Sequence, residues 1–200
     1  MFDEKYWEER YSSYEHVWSG QPNVQLVAEV ADLPPGTALD AGCGEGADAV
    51  WLAERGWRVT AVDYSRTALE RGATHDPTKS VEWVQGDAGT WEPGRRFDLV
   101  TSHYAHPGGS QREALFTRLA GMVAPGGTLL IVSHHPSDME TRPHAPQMPE
   151  LFFTAEEVVE LLPGDEWEIV TAEARLRTQK YPDGQEIAVQ DTVLNARRRS

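Results

Sequence analysis

The feature that most constrains the fold is a regular alternation of apolar and amphipathic segments along residues 37–135. The apolar segments predict strands, and they are found at 37–42, 57–63, 81–87, 97–104 and 128–135. Segments with helical periodicity stand between several of them, at 46–56, 65–75 and 111–123. Because strands that alternate with helices form a parallel sheet covered on both faces, the alternation predicts an α/β fold with a doubly wound sheet.

The residues before and after this region follow other patterns. Two helical segments at 4–16 and 24–31 predict an N-terminal helical cap. A further helix that opens with a capping box is expected at 154–162. Two consecutive strands at 166–176 and 186–198, joined through a Pro-Asp-Gly turn, predict an antiparallel pair at one edge of the sheet.

Composition excludes several classes of function. The chain has 200 residues, a formal net charge of −14 and one cysteine. Such an acidic surface repels phosphate backbones, so we expect no nucleic-acid partner. A single cysteine excludes an internal disulfide framework and a cysteine-cluster metal site. There is no apolar run of the roughly 18 residues that a membrane helix needs, and the acidic N-terminus is unlike a signal peptide. We therefore expect a cytoplasmic protein that binds neither metal nor membrane.

The segment LDAGCGEGADAV at residues 39–50 predicts a tight glycine turn between the first strand and the following helix. Gly42 and Gly44 let the backbone approach a ligand closely and adopt positive φ. Ligands of open parallel sheets bind at the carboxyl ends of the strands, where this turn lies. The glycines alone leave two kinds of cofactor open, a dinucleotide such as NAD and a different adenine-containing cofactor. The dinucleotide stays open because the segment also matches the Gly-x-Gly-x-x-Ala pattern of dinucleotide sites. Asp63, after the second strand, suits a ribose diol in either case.

Three features separate the two cofactors. Asp40 lies two residues before Gly42, where its carboxylate would repel a pyrophosphate and attract an ammonium group. Asp87, at the end of the third strand, can accept a hydrogen bond from the exocyclic amine of adenine. The antiparallel pair near the end of the chain stands where a dinucleotide-binding domain would have its second mononucleotide half. These features favour a cationic, adenine-containing cofactor over NAD.

Together these motifs resemble the class I S-adenosylmethionine-dependent methyltransferases over residues 36–135. LDAGCGEG is similar to that family's first loop, VDYS to its ribose-binding acid and GDA to its adenine contact. FDLVTSHY and APGGTLLIVSHH resemble its fourth and fifth strands. The resemblance implies a single Rossmann-like sheet of seven strands in the order 3-2-1-4-5-7-6, with strand seven antiparallel.

The N-terminal segment YWEERYSSYEHVWSGQPN is similar to the cap of small bacterial methyltransferases related to the tellurite and thiopurine (thiol) methyltransferases. In those relatives, aromatic and arginine residues of the first helix close over the cofactor, which points to Trp7, Arg10 and Tyr11. A solvated helix packed by its own aromatic side chains is the alternative.

We expect a single methyltransferase domain over residues 1–200. Its parts are the cap at 1–33, a cofactor-binding core at 36–135, a loop at 136–153 and a C-terminal helix with antiparallel strands at 154–198. The proline-rich loop is either a lid, in which Met139, Met148 and Phe152 line an acceptor pocket, or an exposed connector.

The resemblance implies S-adenosylmethionine as the cofactor and S-adenosylhomocysteine as the product. Asp40 would hold the ammonium group, Asp63 the ribose, and Asp87 the adenine, with Tyr64 beside the ring. The cofactor-binding candidates are Trp7, Arg10, Asp40, Ala41, Gly42, Cys43, Gly44, Asp63, Tyr64, Asp87, Ala88 and Thr101. The side chain of Cys43 is expected to pack beneath the loop, since a free cysteine usually behaves as a small apolar residue.

Histidines cluster after the fourth and fifth strands, where the methyl acceptor should lie. His103 and Tyr104 stand at the end of strand four and His135 at the end of strand five, and these three residues are the catalytic candidates. His106 and His134 lie nearby. His103 would act as a proton acceptor because a histidine titrates near neutral pH. The alternative is that each histidine is a hydrogen-bonded wall of the pocket.

The expected function is transfer of a methyl group to S, Se, Te, N or O of a small-molecule acceptor, by a monomer or a homodimer. A thiol or an amine needs alignment with the methyl group, whereas a hydroxyl also needs a base. Two other functions are an NAD-dependent oxidoreductase and a non-catalytic cofactor-binding module. A protein methyltransferase is a third, although nothing in the cap indicates a peptide groove.

Overall fold

A seven-stranded sheet organises the chain, and the computed structural model describes residues 2–106, 110–141, 148–180, 184 and 186–200. The strands are β1 (Thr37–Ala41), β2 (Arg58–Asp63), β3 (Glu82–Gln85), β4 (Phe97–His103), β5 (Val123–His134), β6 (Trp167–Lys180) and β7 (Glu186–Arg198). The helices are α1 (Glu4–Ser13), α2 (Val24–Val30), α3 (Ala47–Glu54), α4 (Arg66–His75), α5 (Ser110–Gly121), α6 (Asp138–Thr141) and α7 (Ala155–Val159). A 3-10 turn covers Pro149–Leu151.

The strand order is β3-β2-β1-β4-β5-β7-β6. Strands β1 to β5 pair in parallel, and β7 lies antiparallel between β5 and β6. The predicted order and the antiparallel seventh strand are therefore confirmed. The chain moves from β1 to β2 on one side and later returns to β4 on the other, which opens a crevice at the carboxyl ends of β1 and β4.

Both faces of the sheet are covered. Consecutive residues of β5 show this, because Leu129 belongs to the apolar cluster on one face and Leu130 to the cluster on the other. Side-chain caps begin the helices at the predicted places: Ser65 accepts from the Ala68 amide, and Thr154 forms the expected capping box. The α7 helix that follows is shorter than predicted.

The clearest difference from the sequence prediction lies at the start of β5. The sequence predicts the fifth strand at 128–135, but the strand begins at Val123 and runs through the Ala-Pro-Gly-Gly sequence at 124–127. The register between β4 and β5 shifts between Phe97 and Leu99, and Gly126 has a φ of +77°. Pairing with β4 at Phe97–Val123 and again at Leu99–Thr128 therefore leaves the Pro-Gly-Gly sequence as a bulge within β5. Within the described ranges, no helix is long and apolar enough to cross a membrane.

Candidate active site

The glycine turn between β1 and α3 is held against the end of β2. The amides of Gly42 and Cys43 donate to the Val62 carbonyl at 2.8 and 3.1 Å. The Gly44 amide donates to Asp63 Oδ2 at 2.8 Å. Gly42 and Gly44 have φ values of +78° and +53°, a region that favours glycine. The sequence therefore forms a tight turn whose backbone is exposed at Gly42 and buried at Gly44.

Asp63 is fixed from two sides at the end of β2. Its Oδ1 accepts from the Ser65 amide at 2.9 Å, while Oδ2 accepts from Gly44. Burial raises the pKa of Asp63, although these backbone hydrogen bonds act in the opposite direction. Each carboxylate oxygen keeps a lone pair for a further donor.

Asp40 lies at the end of β1 and is 2% exposed. The Thr101 hydroxyl donates to Asp40 Oδ1 at 3.2 Å and also contacts the Leu39 carbonyl. Asp40 Oδ2 has no hydrogen-bond partner among the described residues. Burial, with a second contribution from the Asp48 carboxylate, raises the pKa of Asp40 to about 7. A buried carboxyl with an unpaired oxygen is costly unless a donor or a cation approaches it.

His103, expected beside the acceptor, is enclosed next to Asp40. Its Nδ1 lies 2.7 Å from Asp48 Oδ2, and its side chain is only 5% exposed. Burial, the largest single effect, disfavours the imidazolium, but the charge and hydrogen bond of Asp48 together with the charges of Asp40 and Asp191 outweigh it and raise the pKa of His103. The Asn23 amide donates to the other oxygen of Asp48 at 2.6 Å. The pair therefore connects β4 to the first turn of α3 and to the segment before α2.

Tyr104 follows β4 in the left-handed region, with a φ of +49°. Its hydroxyl donates to Asp191 Oδ1 at 2.8 Å. Asp191 is fully buried and also accepts from Arg177 Nε at 2.8 Å and from Gln25 Nε2 at 3.1 Å. Burial raises the pKa of the Tyr104 phenol. The tyrosine is therefore engaged in a buried network on β7.

His135, the third catalytic candidate, contacts its own loop. Its Nδ1 lies 2.9 Å from Ser137 Oγ, and its amide donates to the Gln190 carbonyl. His106 and His134 lie instead among aromatic rings, with their own ring centroids 5.9 Å apart. His106 contacts Phe2 and Trp7, and His134 contacts Tyr104 and Phe152. The sequence signal for both histidines was their position near the carboxyl end of a strand. His106 lies three residues after β4, and His134 is the last residue of β5.

The adenine-side candidates lie beside Asp63. Tyr64 follows it, and burial together with the neighbouring Asp87 carboxylate raises the pKa of the Tyr64 phenol. Asp87 Oδ1 accepts from the Gly89 amide at 2.7 Å. Ala88 and Trp91 pack, partly buried, against the core cluster of one sheet face.

The cap helix α1 is anchored over the glycine turn. Glu45 accepts from the amides of Val17 and Trp18 and pairs with Arg71 at 2.9 Å. A Cβ atom on Gly44 would lie 2.6 Å from the Tyr11 hydroxyl. The helix therefore packs directly on the turn.

The other two cap candidates have different surroundings. The Trp7 ring lies 5.7 Å from the His106 ring and 6.1 Å from the Tyr11 ring. The Arg10 guanidinium lies 5.7 Å from the Trp18 ring. Trp7 therefore reaches the loop after β4, whereas Arg10 lies against the segment that follows α1.

A cavity of about 140 Å³ lies between the cap and the ends of the strands. Its lining residues are Phe2, Asp3, Tyr64, His106, Gln111, Glu150 and Leu151. The Phe2 ring lies 5.6 Å from the His106 ring. His103, Tyr104 and His135 are not among the lining residues.

The loop at 136–153 is described only in part, since residues 142–147 lie outside the described ranges. Met139 and Met148 pack with Phe2 against the buried Leu151 and Phe152. The loop thus contacts the first residues of the chain next to the cavity. Its role as a lid stays a prediction.

Comparisons with known proteins agree with this geometry. Residues 38–127 match a family model described as a methyltransferase domain. An uncharacterised methyltransferase of Mycobacterium tuberculosis is 43% identical over 107 residues, which are 52% of this chain and 54% of the relative. A probable thiol methyltransferase of Arabidopsis thaliana is 32% identical over 135 residues, which are 62% of this chain and 59% of the relative. The chain thus spans little more than half the length of these curated relatives.

The fold likeness extends over nearly the whole chain. The N-methyltransferase NodS of Bradyrhizobium japonicum, solved with S-adenosyl-L-homocysteine, aligns with a TM-score of 0.72. The alignment covers 96% of both chains at 19% sequence identity. At this identity the likeness speaks for the fold alone.

Proposed function

We propose that this chain, which belongs to the class I S-adenosylmethionine-dependent methyltransferases, transfers the methyl group of that cofactor to a heteroatom of a small-molecule acceptor. The observation that carries the proposal is the glycine turn after β1, flanked by the buried carboxylate of Asp40 and the half-buried carboxylate of Asp63. The heteroatom would be S, Se, Te, N or O.

The residues around the turn fit the cofactor. Asp40 Oδ2 would accept from the ammonium group, whose positive charge offsets the cost of ionising a buried carboxyl. Asp63 would accept from the ribose hydroxyls with its remaining lone pairs. Gly42 leaves room for a close approach, since a Cβ atom there would meet no atom nearer than the Ala105 Cβ at 3.9 Å.

The outer parts of the cofactor would meet the candidates on the next strands and on the cap. Tyr64, Asp87 and the Ala88 amide would border the adenine. Trp7 would cover the site from α1, and Tyr11 holds that helix on the glycine turn. Thr101 supports Asp40 through its hydroxyl, so its role would be to orient the carboxylate.

When bound, the cofactor supplies an electrophilic methyl group on a sulfonium. The chain would align the acceptor, exclude water and take up a proton where the acceptor carries one. His106 lines the cavity, whereas His103 is enclosed with Asp48. We therefore assign proton uptake to His106. His103 would instead orient the end of β4 through its contact with Asp48.

Calorimetry with the purified chain tests the cofactor. S-Adenosylhomocysteine should bind and NAD should not, because a pyrophosphate would face the Asp40 carboxylate. Asp63→Ala should weaken the binding of S-adenosylhomocysteine at least about tenfold through loss of the charge-assisted ribose contacts. Glu54→Ala, on the far end of α3, is the matched control. Tighter binding of NAD than of S-adenosylhomocysteine would refute the proposal and favour the oxidoreductase.

A further inference from the structure

The lining of the 140 Å³ cavity carries information about the acceptor that would occupy it. Two of the lining side chains, Asp3 and Glu150, are carboxylates. No lysine or arginine is among the described residues that line the cavity. The Tyr6 amide donates to Asp3 Oδ1 at 2.9 Å, and this hydrogen bond lowers the pKa of Asp3, so the carboxylate is ionised at neutral pH.

Apart from Gln111, the remaining wall is aromatic and aliphatic. Phe2, Tyr64 and His106 contribute rings and Leu151 an aliphatic side chain. Trp7 stands behind His106 and Phe2, with ring centroids at 5.7 and 6.2 Å. Rings next to carboxylates are a recurrent environment for ammonium groups, because the ring faces and the carboxylates both attract positive charge.

The size of the cavity limits the ligand. A cavity of about 150 Å³ holds a benzene molecule, so 140 Å³ suits a group of about one ring. A nucleoside does not fit such a volume, so the cavity would adjoin the adenosine site, with Tyr64 as their shared wall. The formal net charge of −14 further disfavours anionic ligands.

We propose that this cavity is the acceptor site and that it selects a small nitrogen base, namely an amine carried on a group no larger than one ring, over thiols and carboxylic acids. This inference rests on the proposed methyltransferase function. Asp3 and Glu150 attract the protonated amine, the rings of Phe2 and Tyr64 hold its apolar part, and His106 receives a proton.

The reaction balances with the groups named. The ammonium form of the acceptor first gives one proton to the imidazole of His106 or to water, which frees the nitrogen lone pair. A nitrogen–carbon bond then forms to the methyl group while the carbon–sulfur bond breaks, and its electron pair stays on sulfur. The products are the methylated ammonium ion and the neutral thioether S-adenosylhomocysteine, and no oxidant or reductant is required.

A matched panel of single-ring probes tests the selectivity. Benzylamine, benzyl mercaptan, benzyl alcohol and benzoate are each incubated with methyl-labelled S-adenosylmethionine, and methylated products are counted. Binding to the complex with S-adenosylhomocysteine is measured separately by tryptophan fluorescence. We expect benzylamine to bind most tightly and to give N-methylbenzylamine fastest, and benzoate to be the poorest ligand.

Glu150→Gln provides the second arm, with Glu113→Gln on the exposed side of α5 as its control. Glu150→Gln should weaken benzylamine binding about fivefold, the size of a solvent-exposed charge pair, and leave benzyl alcohol and S-adenosylhomocysteine unchanged. Equal or better turnover of the thiol or benzoate would overturn the inference. Weaker S-adenosylhomocysteine binding by Glu150→Gln would assign the cavity to the cofactor instead.

The two proposals fail in different ways. A chain that binds S-adenosylhomocysteine and methylates only thiols or acids refutes the acceptor class and keeps the methyltransferase function. A chain that binds no S-adenosylhomocysteine refutes the proposed function, and the acceptor inference falls with it.

Discussion

Replacing Asp40 with asparagine should stabilise the protein without ligand while weakening its affinity for the cofactor. Asp40 is 2% exposed, and burial raises its pKa from 3.8 to about 7. Asparagine has nearly the same shape, accepts the same hydrogen bond from Thr101 and carries no charge to bury. The substitution therefore removes the electrostatic cost and retains the packing.

The magnitude follows from the difference in proton binding between the folded and unfolded states. The raised pKa means that the folded chain binds the Asp40 proton more tightly, so stability is greatest below pH 3.8 and falls as the pH rises to about 7. Each pKa unit corresponds to about 1.4 kcal/mol, so the full cost of Asp40 approaches about 4 kcal/mol above pH 7 and about 2 kcal/mol at pH 5. Asp40→Asn should recover up to these amounts.

Urea unfolding at pH 8 and pH 5, supported by thermal melts, measures the effect. One kcal/mol raises the Tm of a domain of this size by about 2 to 4 °C. The control is Asp98→Asn, because hydrogen bonds from Thr37 lower the pKa of Asp98 and its substitution should destabilise the chain at pH 8. Calorimetry with S-adenosylhomocysteine should show weaker binding to Asp40→Asn. A loss of stability from Asp40→Asn that is equal at both pH values would contradict the reasoning.

Two further substitutions test the elements that shape the site. Gly44→Ala should destabilise the chain by about 1 to 3 kcal/mol, because φ is +53° and the new Cβ would lie 2.6 Å from the Tyr11 hydroxyl. Urea unfolding measures the change in stability. Gly94→Ala is the control for backbone strain alone, because its added Cβ meets no atom within 4 Å. If the two variants lose the same stability, Tyr11 does not press on the turn. Tyr104→Phe removes the hydrogen bond to buried Asp191 and should cost about 1 kcal/mol. Since Arg177 still pairs with Asp191, a loss above about 3 kcal/mol would mean that the network depends on the tyrosine more than this geometry indicates.

Much of the fold was predictable because its signals are local. The glycine turn needs positive φ at Gly42 and Gly44, and this requirement can be read from the residues themselves. The caps at Ser65 and Thr154 act within three residues of sequence. The position of β7 between β5 and β6 came instead from the resemblance to a known family, since no local pattern specifies which strand a hairpin will pair with.

The environment of the polar residues was decided by the tertiary structure. His103 and Tyr104 were both expected at the acceptor, but His103 pairs with Asp48, 55 residues away, and Tyr104 with Asp191, 87 residues away. His106, two residues beyond Tyr104, lines the cavity instead. The sequence by itself determined the alternation of strands and helices and the turn at their carboxyl edge, because these depend on periodicity and backbone conformation. Which side chain is buried, charged or open to a ligand depends on partners distant in sequence, and only the folded chain brings those partners together.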